Sequence, residues 1–533
     1  MFERTAGSYV IEQLKEWNID HIYGMPGDSI NEFMEELRKD GTIRFIQIRH
    51  EETGALAAAA YSKLTERIGV CLSIAGPGAV HLQNGLYDAK KDKTPVLALV
   101  GQISSTIVGT DNFQELKLES MFEEVAVFNR RVQSAEQLPD MLNQAIRTAY
   151  AEKGPAVLIV SDDLFSTKIK RDEPIASSVY TVPKIRAAEE DLVEALELIN
   201  QAEKPVILAG KGARHAAGEV LAFAEKINAP LIASLPSKGM IPDSHPHNLG
   251  QLGQLGTKPA AEAMQEADLV ILAGTAYPYR QYLPKNVPAI QIDIDSSVIG
   301  KYYPATVGIV SDLASALSWL SSRSEEKADA FMNRYKEKRN EWHAQLQQDM
   351  EKETEMLQPQ QVLAEVQRVL DENAVVSLDV GNVTIWTARY LQLSNQSLVL
   401  SAWLATMGCA LPGAIAAKLA YPEKQVLALA GDGGFSMGMQ DLVTAVKYQL
   451  PMTVVVFNNQ KIQLIEHEQK EKGNTPTEIE LANIDFAAFA KACGGEGYTV
   501  KTREELAHAL AAAKASIVPS VIDAYVEDNS PFE

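Results

Sequence analysis

Leu427 to Gln460 reads LALAGDGGFSMGMQDLVTAVKYQLPMTVVVFNNQ, passing from an apolar strand through a glycine turn and a helix into a second apolar strand. The turn is Gly431-Asp432-Gly433-Gly434 and the second strand ends at Asn458-Asn459, so Asp432 and Asn459 stand 27 positions apart. One strand, helix and strand unit fills that interval. In a parallel sheet its two carboxyl ends lie side by side, where such sheets bind ligands. Asp432 and Asn459 both offer hard oxygen donors. Magnesium favours such oxygens and completes its shell with phosphate oxygens, while the glycines let backbone N–H groups approach the same phosphates at the following helix. A lone GDG is most often a plain strand-to-helix turn; the asparagine at this interval gives the stretch its chemical meaning.

The same alternation extends outward from this unit. In its own section, beginning near Pro359, strands are expected at Val375 to Leu378, Val426 to Ala430, Thr453 to Phe457 and Ser520 to Ala524;. The first section has apolar runs at Phe45 to Ile48, Gly69 to Ile74, Val96 to Val100 and Ala156 to Val160, with a helix over Gly54 to Leu64;. The middle section has them at Pro205 to Leu208, Leu231 to Ala233, Leu269 to Ala273 and Ala289 to Ile294. The polar stretch from Ser166 to Glu189 reads as a surface connection, and the charged stretch from Ser322 to Lys352 as an exposed helix and linker;. The expectation is an α/β chain of three doubly wound parallel-sheet domains, over residues 1–180, 186–335 and 358–533.

The 533 residues exceed what one core usually holds;. With 49 basic against 70 acidic side chains and a net charge of −21, a nucleic-acid footprint is excluded, although a local site can still bind an anion;. The three cysteines, Cys71, Cys409 and Cys493, fit neither a disulfide framework nor zinc spacing;. The amino terminus mixes charges into its apolar residues, unlike a signal peptide, and no apolar run approaches the roughly 18 residues of a transmembrane segment;. A cytoplasmic location is expected.

A second constellation, Arg49-His50-Glu51-Glu52, follows the strand Phe45 to Ile48 and precedes an alanine-rich helix. Acids at a helix start ordinarily complement the macrodipole. Taken together, HIYGMPGDSINEFMEEL, IQIRHEE, SIAGPGAVHLQNGLYDA, FQE at Phe113 to Glu115, QIDID and the GDGG-to-NN unit resemble the pyruvate oxidases, enzymes of thiamine diphosphate and FAD within the acetolactate synthase/pyruvate oxidase superfamily.

That resemblance implies Asp432, the Asn459 side chain and the Lys461 carbonyl as Mg2+ ligands, with Gly433, Gly434, Gln460, Ile462, Gln463, Leu464 and Ile465 about the diphosphate and thiazolium. It implies Glu51 on the cofactor's aminopyrimidine, with His81, Phe113, Gln114 and Glu468 in the active site. Ala405, Thr406 and Met407 correspond to the strip beneath the cofactor. In the middle domain it implies an FAD site: Gly210, Gly212 and Arg214; Leu252, Gly253, Gln254 and Leu255; Thr275, Ala276, Tyr277, Pro278, Tyr279 and Arg280; Asp293 and Asp312. Glycine turns after strands admit a diphosphate, Arg280 offsets its charge, and Asp293 can accept a ribose hydroxyl.

The resemblance is incomplete. Gln463-Leu464 stands where the oxidases usually carry Gly-Phe, and the tryptophan-containing segment of acetolactate synthases is not matched either. The expected reaction is oxidative decarboxylation of pyruvate with electron transfer to FAD, giving carbon dioxide and acetate or acetyl phosphate. Oxygen and a quinone both stay open as acceptor, as does phosphate as cosubstrate. A carboligase with structural FAD and a cofactor-binding homologue without turnover are the alternatives. A homodimer or homotetramer is expected, peripheral at a membrane only if a carboxyl-terminal tail follows Glu533.

Overall fold

The computed structural model describes residues 4–170 and 178–529. Part of the connection expected at 166–189, and the chain end at Phe532-Glu533, lie outside the described residues.

Three six-stranded sheets carry the architecture, and every neighbouring pair within them is parallel. The first runs, edge to edge, Arg44–Gln47, His21–Gly24, Gly69–Ser73, Val96–Gln102, Pro155–Ser161 and Phe128–Arg131. The third runs Ser397–Leu400, Val375–Leu378, Val426–Gly431, Thr453–Asn458, Ser520–Tyr525 and Glu496–Val500, the same winding order as the first. The middle sheet winds differently: Asn248–Gln251, Leu231–Ala233, Pro205–Ala209, Leu269–Ala273, Ala289–Asp293 and Val307–Val310. Its first strand lies beside its fourth, the dinucleotide-binding arrangement with a switch point between Ala209 and Ala273;. The α/β class and the three parallel-sheet domains are as the sequence predicts.

Each strand expected from an apolar run is present, with ends moved by a residue or two. Six strands of these sheets were not legible, and all except His21–Gly24 are sheet edges. An edge strand is short and solvated on one side, so its apolar signal is diluted, as in Phe-Asn-Arg-Arg at 128–131;.

Two readings of connecting segments are corrected. Lys168–Ile169 is a strand, paired antiparallel with Arg4–Thr5, so the polar connection begins later than Ser166. The charged stretch folds into the helix Ala330–Glu351, which is more than an exposed linker: Phe331, Met332, Tyr335 and Leu346 are buried. Within it Arg339 donates to the carbonyls of Asn248 at 2.9 Å and Asp243 at 2.7 Å. Long basic side chains bury their stems while the head finds acceptors, so a charged sequence can still pack.

The helix Glu51–Thr65 joins the first and third domains. Its alanines pack on Gln83–Lys91 and on Ala410–Ala420, and one hydrophobic core includes Ala57, Ala58, Ala414 and Ile415. A Cβ on Gly69 would lie 2.0 Å from the Ala58 carbonyl oxygen, so the helix sits directly on its own sheet. At the far end of this helix the buried Lys63 ammonium lies 2.6 Å from both Asp88 and Asp92 and donates to the Leu400 carbonyl at 3.0 Å. Asp92 in turn accepts from the Ala402 and Trp403 N–H groups at 3.2 and 3.1 Å. The triad thus ties the segment leading to Ala405 onto the first domain. Lys63→Met is expected to leave two buried carboxylates without a cation and to cost about 3–5 kcal/mol. Urea unfolding followed by circular dichroism should show an earlier midpoint; an unchanged midpoint would contradict this role.

Candidate active site

The third sheet reverses its winding between the neighbouring strands Val375–Leu378 and Val426–Gly431, which opens a crevice at their carboxyl ends;. Both strands deliver an aspartate to it, Asp379 and Asp432. A Cβ added at Gly381 or Gly431 would meet no atom within 4 Å, so the space above both turns is open. Gly381 has φ +132°, a conformation that glycine adopts without strain;. Gly434 is needed for another reason: a Cβ there would stand 2.8 Å from Asp379 Oδ1.

Asp432 opens the helix Asp432–Gly438 and is only 6% exposed. Its carboxylate accepts from Gly433 N at 2.9 Å and from Gln460 N at 2.7 Å, the latter beyond the end of the adjacent strand. The Asp432 and Asn459 segments therefore adjoin, as their interval in the sequence predicts. Burial pushes the Asp432 carboxyl up to about 6, opposed in part by those N–H groups;. Asp379 is deeper still at 1% exposure, accepts from Val380, Gly408 and Ala410 N–H groups, and is likewise pushed by burial up to about 6.

Asn459 Oδ1 accepts from Lys461 N at 3.2 Å and its Nδ2 donates to Gln463 Oε1 at 3.2 Å. Asn382 Oδ1 is buried without a hydrogen-bond partner. Among the described residues no cluster of three His, Cys, Asp or Glu side chains could hold a metal ion. A cation at Asp432 would draw on one carboxylate with amide, carbonyl and ligand oxygens, a hard donor set that suits magnesium. The buried carboxylate without a cation, the orphaned amide oxygen and the open glycine turns all fit a metal-bound diphosphate.

The strip Ala405, Thr406 and Met407 borders this crevice. Ala405 has φ +58°, and a Cβ on Gly433 would lie 3.4 Å from Met407 Cε. Thr406 N donates to Ser401 Oγ at 3.0 Å, and Thr406 Oγ1 accepts from Asn84 Nδ2 at 2.8 Å. Asn84 also donates to Glu52 at 2.6 Å, which connects the strip to the helix carrying Glu51. Gln463 opens the helix Gln463–Glu471; Leu464 and Glu468 on it are half-buried and Ile465 is exposed, while Ile462 donates its N–H to Ile479 O at 2.8 Å.

Glu51 is the first residue of its helix, 7% exposed, and hydrogen-bonds His81 Nδ1 at 2.9 Å. The His81 ring stacks on His50 with centroids 4.4 Å apart. Gly78 makes room, since a Cβ there would stand 2.9 Å from Glu51 Oε1. The approach to Glu51 is pinned from the third domain: buried Asp441 accepts from Arg49 N at 2.7 Å and from Thr444 Oγ1 at 2.9 Å. Gln114, at φ +63°, lies over Gly76, whereas Phe113 is 78% exposed. Among the described residues no hydrogen bond joins the Glu51 and His81 pair to Asp432 or Asn459 of the same chain.

At the switch point of the middle sheet, the turn holding Gly210 and Gly212 packs on the turn holding Gly274 and Thr275. A Cβ on Gly210 would lie 2.4 Å from Thr275 Cβ. Tyr277 follows with φ +28°, and its buried hydroxyl and the buried Gln251 Nε2 have no protein partner. The same hydroxyl would stand 2.9 Å from a Cβ on Gly253. Leu252 is buried; Gln254 O accepts from Arg389 at 3.0 Å, and Leu255 and Ala276 lie in the same two turns. Pro278 is half-buried and Tyr279 is 54% exposed. Burial raises Asp293 above the usual carboxylate range, at the end of its strand. Arg214 donates to the Lys63 and Pro236 carbonyls, and Arg280 to Lys301 O at 3.0 Å. Asp312 caps the helix Leu313–Ser321 through Ser315 N at 3.0 Å, which already accounts for one of its oxygens.

Asp379, Asn382, Asp441 and Asp528 were not singled out from sequence. Asp379 had a signal: it begins Asp-Val-Gly at the end of an apolar strand, the counterpart of Gly-Asp-Gly at 431–433. The others act through partners far away in sequence.

Two open α/β sheets of like winding, one with a buried acid-and-amide crevice, flanking a dinucleotide-type sheet, define a cofactor-dependent α/β protein. Family comparisons specify it further. Residues 4–121 match the thiamine pyrophosphate enzyme N-terminal TPP binding domain, 192–320 the central domain and 379–524 the C-terminal TPP binding domain. The chain is 55% identical over 535 residues to the Bacillus subtilis protein YdaP, whose name describes it as thiamine pyrophosphate-containing, covering 100% of this chain and 93% of that one. It is 38% identical over 538 residues to a pyruvate oxidase of Lactiplantibacillus plantarum, with 99% and 89% covered. It is 30% identical over 482 residues to the acetolactate synthase isozyme 1 large subunit of Escherichia coli, with 87% and 83% covered. The chain belongs to the thiamine pyrophosphate enzyme family.

Gly434→Ala is expected to displace Asp379 from the N–H groups of Gly408 and Ala410 and so to loosen the Met407 strip against the glycine turn. Thiamine diphosphate affinity, measured by calorimetry with magnesium present, should fall at least about tenfold, ~1.4 kcal/mol. Unaltered affinity would mean that Asp379 does not organise the crevice.

Proposed function

We propose that this protein catalyses the oxidative decarboxylation of pyruvate, with thiamine diphosphate held by Mg2+ in the third domain and FAD in the middle domain. The division into residues 1–180, 186–335 and 358–533 is part of the same reading. The observation that carries it is the coexistence in one chain of the Asp432 and Asn459 crevice with a dinucleotide-type sheet whose turns leave Tyr277 OH and Gln251 Nε2 without partners. The 38% identity to a pyruvate oxidase, against 30% to an acetolactate synthase subunit, favours oxidation over carboligation.

When bound, thiamine diphosphate supplies a carbon nucleophile for the keto group and holds the electron pair left by departing carbon dioxide, and FAD accepts two electrons. The chain's residues do the rest. Asp432, Asn459 and the Lys461 carbonyl hold the metal. Gly433 and Gly434 admit the diphosphate, and Met407 supports the ring system. Glu51, buried against His81, exchanges a proton with the aminopyrimidine while shielded from bulk water;. Gln114 and Glu468 contact substrate.

The same reading takes the assembly as a homodimer or homotetramer, as the resemblance to the pyruvate oxidases implies: Glu51 of one chain serves the diphosphate held by the partner's Asp432, and Phe113, 78% exposed, is available at that boundary. A bound FAD would pass its two electrons on to oxygen or a quinone, and the acetyl group would leave as acetate with water or as acetyl phosphate with inorganic phosphate as cosubstrate. Among the described residues no helix is long and apolar enough to cross a membrane.

Anaerobic addition of pyruvate tests the reaction. Bleaching of the flavin absorbance is expected; acetolactate formation without bleaching would replace the oxidase with a carboligase, and neither would leave a homologue without turnover. Glu51→Gln should retain both cofactors and lose about 10²- to 10⁴-fold in turnover. Proton-deuterium exchange at thiamine C2, followed by quenched NMR, should slow by a similar factor; equal exchange in both proteins would return Glu51 to an ordinary helix-start acid.

A further inference from the structure

Gln463 belongs to the pair in which this chain departs from the oxidases, and its buried side chain is a junction. Its Oε1 accepts from Asn459 Nδ2 at 3.2 Å and from Asn382 Nδ2 at 2.8 Å. Its Nε2 donates to Asp528 Oδ1 at 2.5 Å, and the other Asp528 oxygen accepts from Lys461 Nζ. Five polar side chains from three separated parts of the chain thus meet beside the Asp432 crevice.

The polarity of this junction follows from one fact: a carboxylate can only accept hydrogen bonds. Asp528 therefore turns the Gln463 NH2 group toward itself, which points Oε1 the other way. That oxygen in turn accepts only donors, so Asn459 and Asn382 both turn their NH2 groups to it and their Oδ1 atoms away. The two ends of an amide are nearly alike in shape, so the neighbours choose, and at Asn459 the Lys461 N–H, which donates to Oδ1 at 3.2 Å, favours the same orientation;. The buried, unpartnered Asn382 Oδ1 is the visible result of that choice on the crevice side.

We propose that Asp528 and Gln463 are positioning residues that set the orientation of Asn459, so that its oxygen rather than its nitrogen faces the metal. This rests on the reading of Asn459 as a metal ligand. The Lys461 ammonium is held by the same Asp528 carboxylate, so one acid ties the Gln463 and Lys461 side chains together. Partners that orient a metal ligand typically contribute about 10- to 100-fold to metal affinity.

The test exchanges the polarity of the junction. Apparent Mg2+ affinity at saturating thiamine diphosphate is measured by equilibrium dialysis on the assembled protein, with size exclusion and circular dichroism confirming the fold. Gln463→Glu sets two carboxylates against each other and should weaken Mg2+ at least about tenfold. Asp528→Asn alone removes the constraint and should cost severalfold. The double variant Gln463→Glu, Asp528→Asn restores the order of donors and acceptors: the amide introduced at position 528 donates to the carboxylate introduced at position 463, whose other oxygen still faces Asn459 and Asn382. It should regain affinity to within about threefold of the wild type. Gln463→Met, which removes all three side-chain hydrogen bonds without adding charge, provides the measurement should the glutamate variant fold poorly, and it too should lose about tenfold;.

Wild-type affinity in Gln463→Met, or no recovery in the double variant, would overturn the proposal while Asn459→Ala still loses the metal. If Asn459→Ala keeps wild-type Mg2+ affinity, the ligand reading falls and the proposal falls with it.

Discussion

The chain commits two carboxylates, Asp379 and Asp432, to the interior at the carboxyl ends of adjacent parallel strands, where their hydrogen-bond partners among the described residues are backbone N–H groups. Burial of an anion in that condition is costly, and each carboxyl is accordingly raised to about 6;. A carboxyl raised in the folded state binds its proton more tightly there than in the unfolded chain, so the free protein loses stability as pH rises from about 4 through about 6. The glycine turns, the Met407 strip and the amides of Asn382 and Asn459 all take their positions around this acidic crevice, which a bound cation would complete.

Interdomain packing carries the constraint outward. Small residues on the helix Glu51–Thr65 let it lie against its own sheet and the third domain at once, so Glu51 at one end and Lys63 at the other are fixed by the same rod. Lys63, Asp88 and Asp92 hold the segment leading to Ala405, while Asp441 holds Arg49 immediately before the His50-Glu51 pair. Parts of the site that belong to different sheets are therefore indexed to one another by buried polar groups, whose cost when unpaired makes alternative registers unfavourable. The middle sheet joins the same junction where Arg214 and Lys211 donate to carbonyls of Lys63 and Asp92.

Much of this was determined by the sequence alone. Apolar runs located the interior strands other than His21–Gly24 because a parallel strand buried on both faces is continuously apolar, as Val96–Gln102 and Thr453–Asn458 largely are;. The interval from Asp432 to Asn459 brought the two segments together because a strand, helix and strand unit of that length returns the chain to the neighbouring parallel strand;. Glu51 at a helix start after a short strand was equally local. The edge strands other than Arg44–Gln47 were not legible, since an edge strand is short and its outer side is unpaired;.

Only the tertiary structure decided the remainder, and the reason is the same at each point: the partners are distant in sequence. Asp379 gains its meaning from Gly408, Ala410 and Gly434; Asp441 from Arg49; Gln463 from Asn382 and Asp528. Which end of an amide faces a crevice is set by donors and acceptors that converge only once the sheets have formed. Local sequence therefore specified which chemical groups would be present, and long-range packing specified how they are turned.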